Sequence, residues 1–258
     1  FVEILKGRFV TGADLNVTAM DGSIMGRESR YILAKPREEG SSGSTGPITA
    51  FGIYVGLKAC AKFIWSDEKL QGKKIAVQGL GAVGEPLLGY LREGGLEVIA
   101  TDVNEETLQR LQRQYGFKAV KADAIYEVEC DIFCPCAMGG ILNDQTVPRL
   151  KCKLVAGSAN NQLEDEERHG RMLHERGILY APDYIINAGG VIQVIDEIQG
   201  FNPERVRMKT EKIYHRLLDI FEKAKKEGIL PLEAANRYAE SRIDKIHKLR
   251  RIYVPQQA

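Results

Sequence analysis

The stretch from residue 73 to residue 102 constrains this chain's fold more than any other. Residues 73–78 form a short apolar run between Gly72 and Gly79, which reads as a buried strand. Gly79-Leu80-Gly81-Ala82-Val83-Gly84 closes it, and residues 85–93 place Leu87, Leu88 and Leu91 on one face of a helix. A second strand, 97–101, ends at Asp102. A lone Gly-x-Gly-x-x-Gly is weak, because glycine-rich turns are common. Here a strand precedes it, a helix follows and an acid ends the next strand, which is the context a dinucleotide turn requires. Gly79 permits the tight turn and Gly81 lets backbone approach a pyrophosphate. Gly84 lets helix and strand pack closely, and the helix N-terminus behind Ala82 and Val83 favours phosphate charge. Asp102, 18 residues beyond Gly84, stands where a carboxylate binds adenosine ribose hydroxyls and repels a 2′-phosphate. The cofactor expected is NAD.

Asn104 predicts the cap of a further helix, and short apolar segments recur at 118–120, 131–134, 153–156 and 178–180. Strands alternating with helices predict an α/β fold, a doubly wound parallel sheet of the Rossmann type. Residues 1–35 read as a helix end, a strand around 8–10 and a polar loop through Asp14. The Gly- and Ser-rich stretch 39–47 reads as a flexible loop or hinge, with a helix over 49–65 after it. From Pro203 onward the sequence is charged and helical. The expected domains are 1–44, the remainder of a smaller substrate domain; 45–235, the NAD-binding domain; and 236–258, a C-terminal helix returning to the first.

A net charge of +1 argues against nucleic acid or a membrane surface as partner. No apolar run is read as approaching the roughly 18 residues of a membrane span. Three of the five cysteines fall in Cys130-Asp-Ile-Phe-Cys134-Pro-Cys136, whose spacing fits no standard zinc pattern and which reads as buried strand. Reduced thiols and the lack of a charged-then-apolar leader predict a cytoplasmic chain. His169 and His174, among Glu164, Glu166, Glu167 and Arg168, read as a solvated helix face, and no metal site is expected.

Longer motifs narrow the reading. Cys130 to Gly140, Gly157-Ser-Ala-Asn-Asn-Gln-Leu163 and Tyr180-Ala-Pro-Asp-Tyr-Ile-Ile-Asn-Ala-Gly-Gly-Val191 resemble the leucine, phenylalanine and valine dehydrogenases, relatives of glutamate dehydrogenase. The similarity runs from Gly7 to Arg237. It implies hydride transfer from the α-carbon of an L-amino acid to NAD, then attack of water on the imine and release of ammonia, which requires groups that move protons. The resemblance gives proton handling to Asp14, in Thr11-Gly12-Ala13-Asp14; by itself Asp14 reads as a loop acid or helix cap. Asn161 matches an amide positioning substrate, against a turn-forming Asn. Thr49 matches a hydroxyl holding the nicotinamide carboxamide, against a helix N-cap. Ala137 and Asn187 match walls of the nicotinamide site, against core or turn roles.

The family's glycine-rich segment with its catalytic lysine is expected upstream of Asp14, as is a second lysine for the substrate carboxylate. Lys6, Lys35, Lys58, Lys73 and Lys74 do not stand in those motifs. Two readings follow: the C-terminal part of a longer dehydrogenase, which is favoured, or a non-catalytic NAD-binding protein. The resemblance puts Gly12, Val191 and Val194 beside the substrate side chain. None is charged, so an aliphatic or aromatic side chain fits and a glutamate would lose hydration without a partner. Gly12 leans towards phenylalanine and Val191 towards leucine, with phenylalanine favoured. The resemblance also implies a homo-oligomer.

Overall fold

The computed structural model describes residues 1–12, 14 and 17–249; Ala13 of the Thr-x-x-Asp segment and residues 250–258 of the expected C-terminal helix lie outside the described residues. Thr11–Gly12 (β1) pairs in parallel with Ile32–Leu33 (β2), and Ala19–Gly26 (α1) connects them. Gly46–Trp65 (α2) leads into the main sheet. Then follow Lys74–Gln78 (β3), Gly84–Glu93 (α3), Glu97–Thr101 (β4), Glu105–Tyr115 (α4), Lys118–Ala119 (β5), Ile132–Pro135 (β6), Leu154–Val155 (β7), Glu166–Glu175 (α5) and Leu179–Tyr180 (β8). Asp183–Ile186 (α6), Gly189–Asp196 (α7), Pro203–Glu211 (α8), Ile213–Glu227 (α9) and Pro231–Leu249 (α10) complete the chain.

The six main strands are all parallel, in the order β5-β4-β3-β6-β7-β8. The order reverses between β3 and β6, so a crevice opens at the C-terminal ends of those two strands. Side chains alternate between two apolar cores. Ile75, Val77, Ile132, Cys134 and Leu154 face one, with Ile53 and Leu57 of α2, Leu87 and Leu91 of α3 and Phe221 of α9. Ala76, Phe133 and Val155 face the other, with Leu173 and Tyr180. A sheet covered on both faces explains why its strands read as continuous apolar runs. Each fully buried Leu, Ile or Phe contributes about 1.5–3 kcal/mol.

Local chemistry sets the element ends. The Asn104 side chain accepts the Thr107 N–H at 2.9 Å and caps α4, as its sequence position predicts. Gly116, at φ 73°, ends the same helix by turning left-handed.

Four expectations are corrected. The strand placed around 8–10 starts at Thr11, whose N–H meets Tyr31 O; Phe9 before it is half exposed, and residues 3–5 form a single 3-10 turn. Residues 39–47, expected to be a loose hinge, contain buried Ser41 and Ser42 and are pinned by α7 and the turn after it. α2 is long and apolar enough to cross a membrane by length and composition, at a mean hydropathy of 1.3, contrary to the sequence reading. Yet 61% of that window is buried between α3, α9 and the sheet, so it serves as a core helix. His169 does not lie on a solvated face. It is buried, its Nδ1 accepts the Asp165 N–H at 2.9 Å, and its Nε2 lies 3.3 Å from Asp144 Oδ1. An Nδ1 that accepts leaves the proton on Nε2, which donates to Asp144. His174 is exposed. The first turns of α10 bury Leu232, Ala234 and Ala235.

Candidate functional site

The glycine turn sits at the head of the crevice. Gly79 holds φ +96°, and a Cβ there would lie 2.8 Å from Ala137 Cβ and 3.0 Å from backbone of Cys136 and Ala137. A Cβ on Gly84 would strike the Gly79 carbonyl. A Cβ on Gly81 would meet nothing within 4 Å. Packing therefore demands glycine at 79 and 84, while at 81 its absence of side chain serves only to bare the backbone to open space. A dinucleotide pyrophosphate fits that cradle, with the N-terminus of α3 adding favourable dipole.

Asp102, half buried at the end of β4, reaches back to this turn. Its Oδ2 accepts the Leu80 N–H at 2.6 Å and its Oδ1 accepts the Asn104 N–H at 2.8 Å. Each oxygen keeps a second lone pair, so a ribose diol can still donate to it.

From the turn, contacts run round the crevice and return. The Cys136 N–H donates to Gln78 O at 2.7 Å, which fixes the 136–140 segment beside β3. The Gly140 N–H donates to Asn161 O at 2.8 Å and joins that segment to the 157–162 loop. Asn161 has φ 50°, the left-handed conformation that Asn tolerates, so the turn-forming role is present in the backbone. Asn187 braces the loop, its Nδ2 donating to Ser158 O at 3.1 Å and Asn160 Oδ1 at 2.6 Å. After it, Gly189 and Gly190 bring α7 against α2: added Cβ atoms would lie 2.5 Å from Ile48 O and 2.9 Å from Thr49 Oγ1. Gly46, opening α2, packs directly on the Ala82 carbonyl. The ring therefore closes on the glycine turn.

Thr49 is not the N-cap of α2. Thr45 holds that position, and the Thr49 hydroxyl donates to Thr45 O at 2.9 Å. Its oxygen remains an acceptor at the crevice wall, suited to a carboxamide NH₂. Ala137 is exposed on the lip above Gly79.

The proposed substrate residues lie further out. Val191 and Val194 are on α7, the first exposed and the second half buried. Gly12 ends β1, and a Cβ there would lie 2.8 Å from Leu33 O. The strand pairing itself thus requires glycine at 12, which weakens its use as a marker of substrate size. Asp14 is exposed just beyond β1, its carbonyl accepting the Val17 N–H at 2.8 Å.

Sequence reasoning missed the groups that hold these pieces together. The Glu197 carboxylate accepts from Ala34 N–H at 3.2 Å, Ser41 Oγ at 2.6 Å, Ser42 N–H at 3.0 Å and the Ser42 hydroxyl. The Gln193 amide donates to the carbonyls of Ser42, Gly43 and Ser44. Buried Gln162 donates to Gly157 O at 3.0 Å and Ala159 O at 2.9 Å, and its own N–H meets Asp183 at 3.2 Å. The one signal available was a polar residue recurring beside apolar ones in Gln193-Val-Ile-Asp-Glu197.

Next to Glu197, Asp196 is fully buried at the end of α7. Arg205 donates to it twice at 2.7 Å and Lys209 once at 2.9 Å. These hydrogen bonds, that of Arg205 first, hold its carboxyl well below the usual range. A groove of about 670 Å³ lies at the opposite end of the strands, by Lys74, Glu97 and Lys118, away from this chemistry. No group of three or more His, Cys, Asp or Glu suited to a metal occurs among the described residues.

Sheet order, glycine turn and strand-end acid together define a Rossmann-type dehydrogenase domain. The glutamate/leucine/phenylalanine/valine dehydrogenase profile matches residues 97–251, and the chain belongs to that family. It is thereby an oxidoreductase of the amino-acid dehydrogenase class. Leucine dehydrogenase of Thermoactinomyces intermedius is 50% identical over 257 residues, covering 100% of this chain and 70% of the relative. Phenylalanine dehydrogenase of the same organism is 45% identical over 254 residues, covering 98% and 69%. The crystal structure of L-tryptophan dehydrogenase from Nostoc punctiforme superposes with a TM-score of 0.84 at 42% identity, covering 95% of this chain and 70% of that one.

Proposed function

We propose that the crevice holds NAD and serves the oxidative deamination of an apolar L-amino acid to its 2-oxo acid and ammonia. The observation that carries this is the open backbone at Gly81 beside Asp102, in a ring closed by Thr49, Ala137 and Asn187. The preference for NAD over NADP rests on the Asp102 carboxylate, which a 2′-phosphate would face.

The bound nicotinamide supplies the hydride acceptor. Thr49 orients its carboxamide, and Ala137 and Asn187 wall the ring. Asn161 positions the substrate, Asp14 moves a proton at the amine or at water, and Gly12, Val191 and Val194 surround an uncharged side chain. The similarity to leucine, phenylalanine and tryptophan dehydrogenases supports an apolar substrate. Association into a homo-oligomer and a cytoplasmic setting belong to the same reading.

The test is calorimetric titration with NAD and NADP, beside NAD reduction with L-leucine, L-phenylalanine and L-glutamate. NAD binding with turnover of either apolar amino acid supports the whole reading. NAD binding without turnover confines it to the cofactor site. Preference for NADP, or for glutamate, overturns the corresponding part.

A further inference from the structure

The Cys134 and Cys136 thiols lie outside every role assigned above. They flank Pro135 at the end of β6, on the same side of the strand, with their sulfurs 3.6 Å apart. Cys134 is fully buried and Cys136 is partly exposed at the crevice. The 157–162 loop packs beside this strand end, its Ala159 N–H donating to Pro135 O at 3.0 Å. At that separation one thiol can donate to the other and stabilise its thiolate. The Cys134 thiol and then Ser158 hold the Cys136 thiol below its usual range, while donation to Cys136 and burial push Cys134 up. The other three cysteines differ: burial pushes Cys60 far up, Cys130 to about 11 and Cys152 to about 12.

We propose that Cys134 and Cys136 form an oxidisable dithiol, a modification site for hydrogen peroxide whose closure disturbs the glycine turn. The Cys136 thiolate attacks one peroxide oxygen, the O–O bond breaks, and sulfenic acid and hydroxide result. Cys134 then attacks the Cys136 sulfur, the S–O bond breaks and the disulfide forms. The hydroxyl leaves with the Cys134 proton as water, and the first hydroxide takes the proton that Cys136 released. Two thiols are oxidised, and one peroxide is reduced to two waters.

The coupling to the turn is geometric. Residues two apart on an extended strand have Cα atoms roughly 6.6 Å apart. That is near the upper end of the roughly 4.4–6.8 Å that a disulfide spans. Closure therefore bends the strand end, where the Cys136 N–H holds Gln78 O and where Cys136 and Ala137 fill the space above Gly79. The effect on nucleotide binding rests on the NAD reading; disulfide formation does not.

The experiment treats the reduced full chain with a few equivalents of hydrogen peroxide, alkylates the remaining thiols and locates the modified residues by peptide fragmentation. The expected result is a Cys134–Cys136 disulfide formed ahead of any change at Cys60, Cys130 or Cys152 and reversed by dithiothreitol. NAD affinity measured on the same samples falls at least tenfold on oxidation and recovers on reduction. In Cys134→Ala, peroxide leaves a sulfenic acid on Cys136, trapped by dimedone. Both thiols staying alkylatable while other cysteines oxidise overturns the dithiol. A disulfide that leaves NAD affinity within twofold overturns the coupling. A reduced chain that binds no NAD overturns the nucleotide reading and the coupling with it, while the mass result still decides the dithiol.

Discussion

The Glu197 carboxylate grips Ser42 twice, through its backbone N–H at 3.0 Å and through its hydroxyl, across 155 positions of sequence. Ser42 is fully buried, so removing the acceptor leaves donors without partners. Glu197→Ala is expected to destabilise the chain by about 2–4 kcal/mol, with Glu197→Gln costing less because one acceptor oxygen remains. Urea unfolding measures both, and limited proteolysis should show new cleavage within 36–44 in the alanine variant. Unchanged stability and cleavage in that variant would show that the loop holds without this anchor.

The three motif glycines should separate cleanly. Gly81→Ala meets no atom within 4 Å, so its stability should stay within about 1 kcal/mol of the parent while NAD affinity falls at least about tenfold. Gly84→Ala drives a methyl into the Gly79 carbonyl and should lower stability by several kcal/mol, of the order seen when a core is overpacked. Thermal melts with and without NAD distinguish the two. Loss of stability in Gly81→Ala would mean that packing, not a ligand, demands that glycine.

Asp102→Ser removes the charge that disfavours a 2′-phosphate and weakens the hold on Leu80 N–H. The ratio of NADP to NAD affinity should rise by about tenfold or more, alongside a loss of about 1–2 kcal/mol of stability from the broken charged hydrogen bond. Titration with each nucleotide gives the ratio. A ratio that does not move would confine Asp102 to bracing the turn.

Asp196 carries an acid-side prediction. Its folded pKa is depressed by Arg205, burial opposing, with Lys209 and the Asn202 N–H adding to the depression. A depressed carboxyl stabilises the fold above its unfolded value near 3.9, and that contribution is lost as pH falls through the lower folded value. The chain should therefore keep this contribution down to about pH 4 and lose it progressively below. Asp196→Asn should flatten that part of the stability-versus-pH curve and lower stability at pH 7, because Arg205 and Lys209 lose their counter-charge. Denaturation midpoints from pH 2 to 7 for both proteins test it; parallel curves would remove Asp196 from the acid response.

The glycine turn, its strand and helix and the Asn104 cap were legible in the sequence because each depends on near neighbours, and the acid at 102 because its spacing from the turn belongs to the motif. The alternation of strands and helices gave the parallel sheet for the same reason. The reading of 39–47 as a flexible loop or hinge missed how firmly it is tied down, since Gly and Ser composition reports backbone freedom and not the carboxylate that removes it. His169 read as exposed because its neighbours are charged; its burial and its contact with Asp144, 25 residues away, belong to the tertiary packing. α2 has the length and hydropathy of a membrane span, and what decides its place is the sheet and α9 lying against it. Gly12 is explained by the Leu33 carbonyl, a partner that strand pairing alone supplies. Sequence by itself determined the local conformations and the chemistry each residue can offer. Tertiary structure decided which of those groups meet, because burial and hydrogen bonding across long separations depend on atoms that no local window contains.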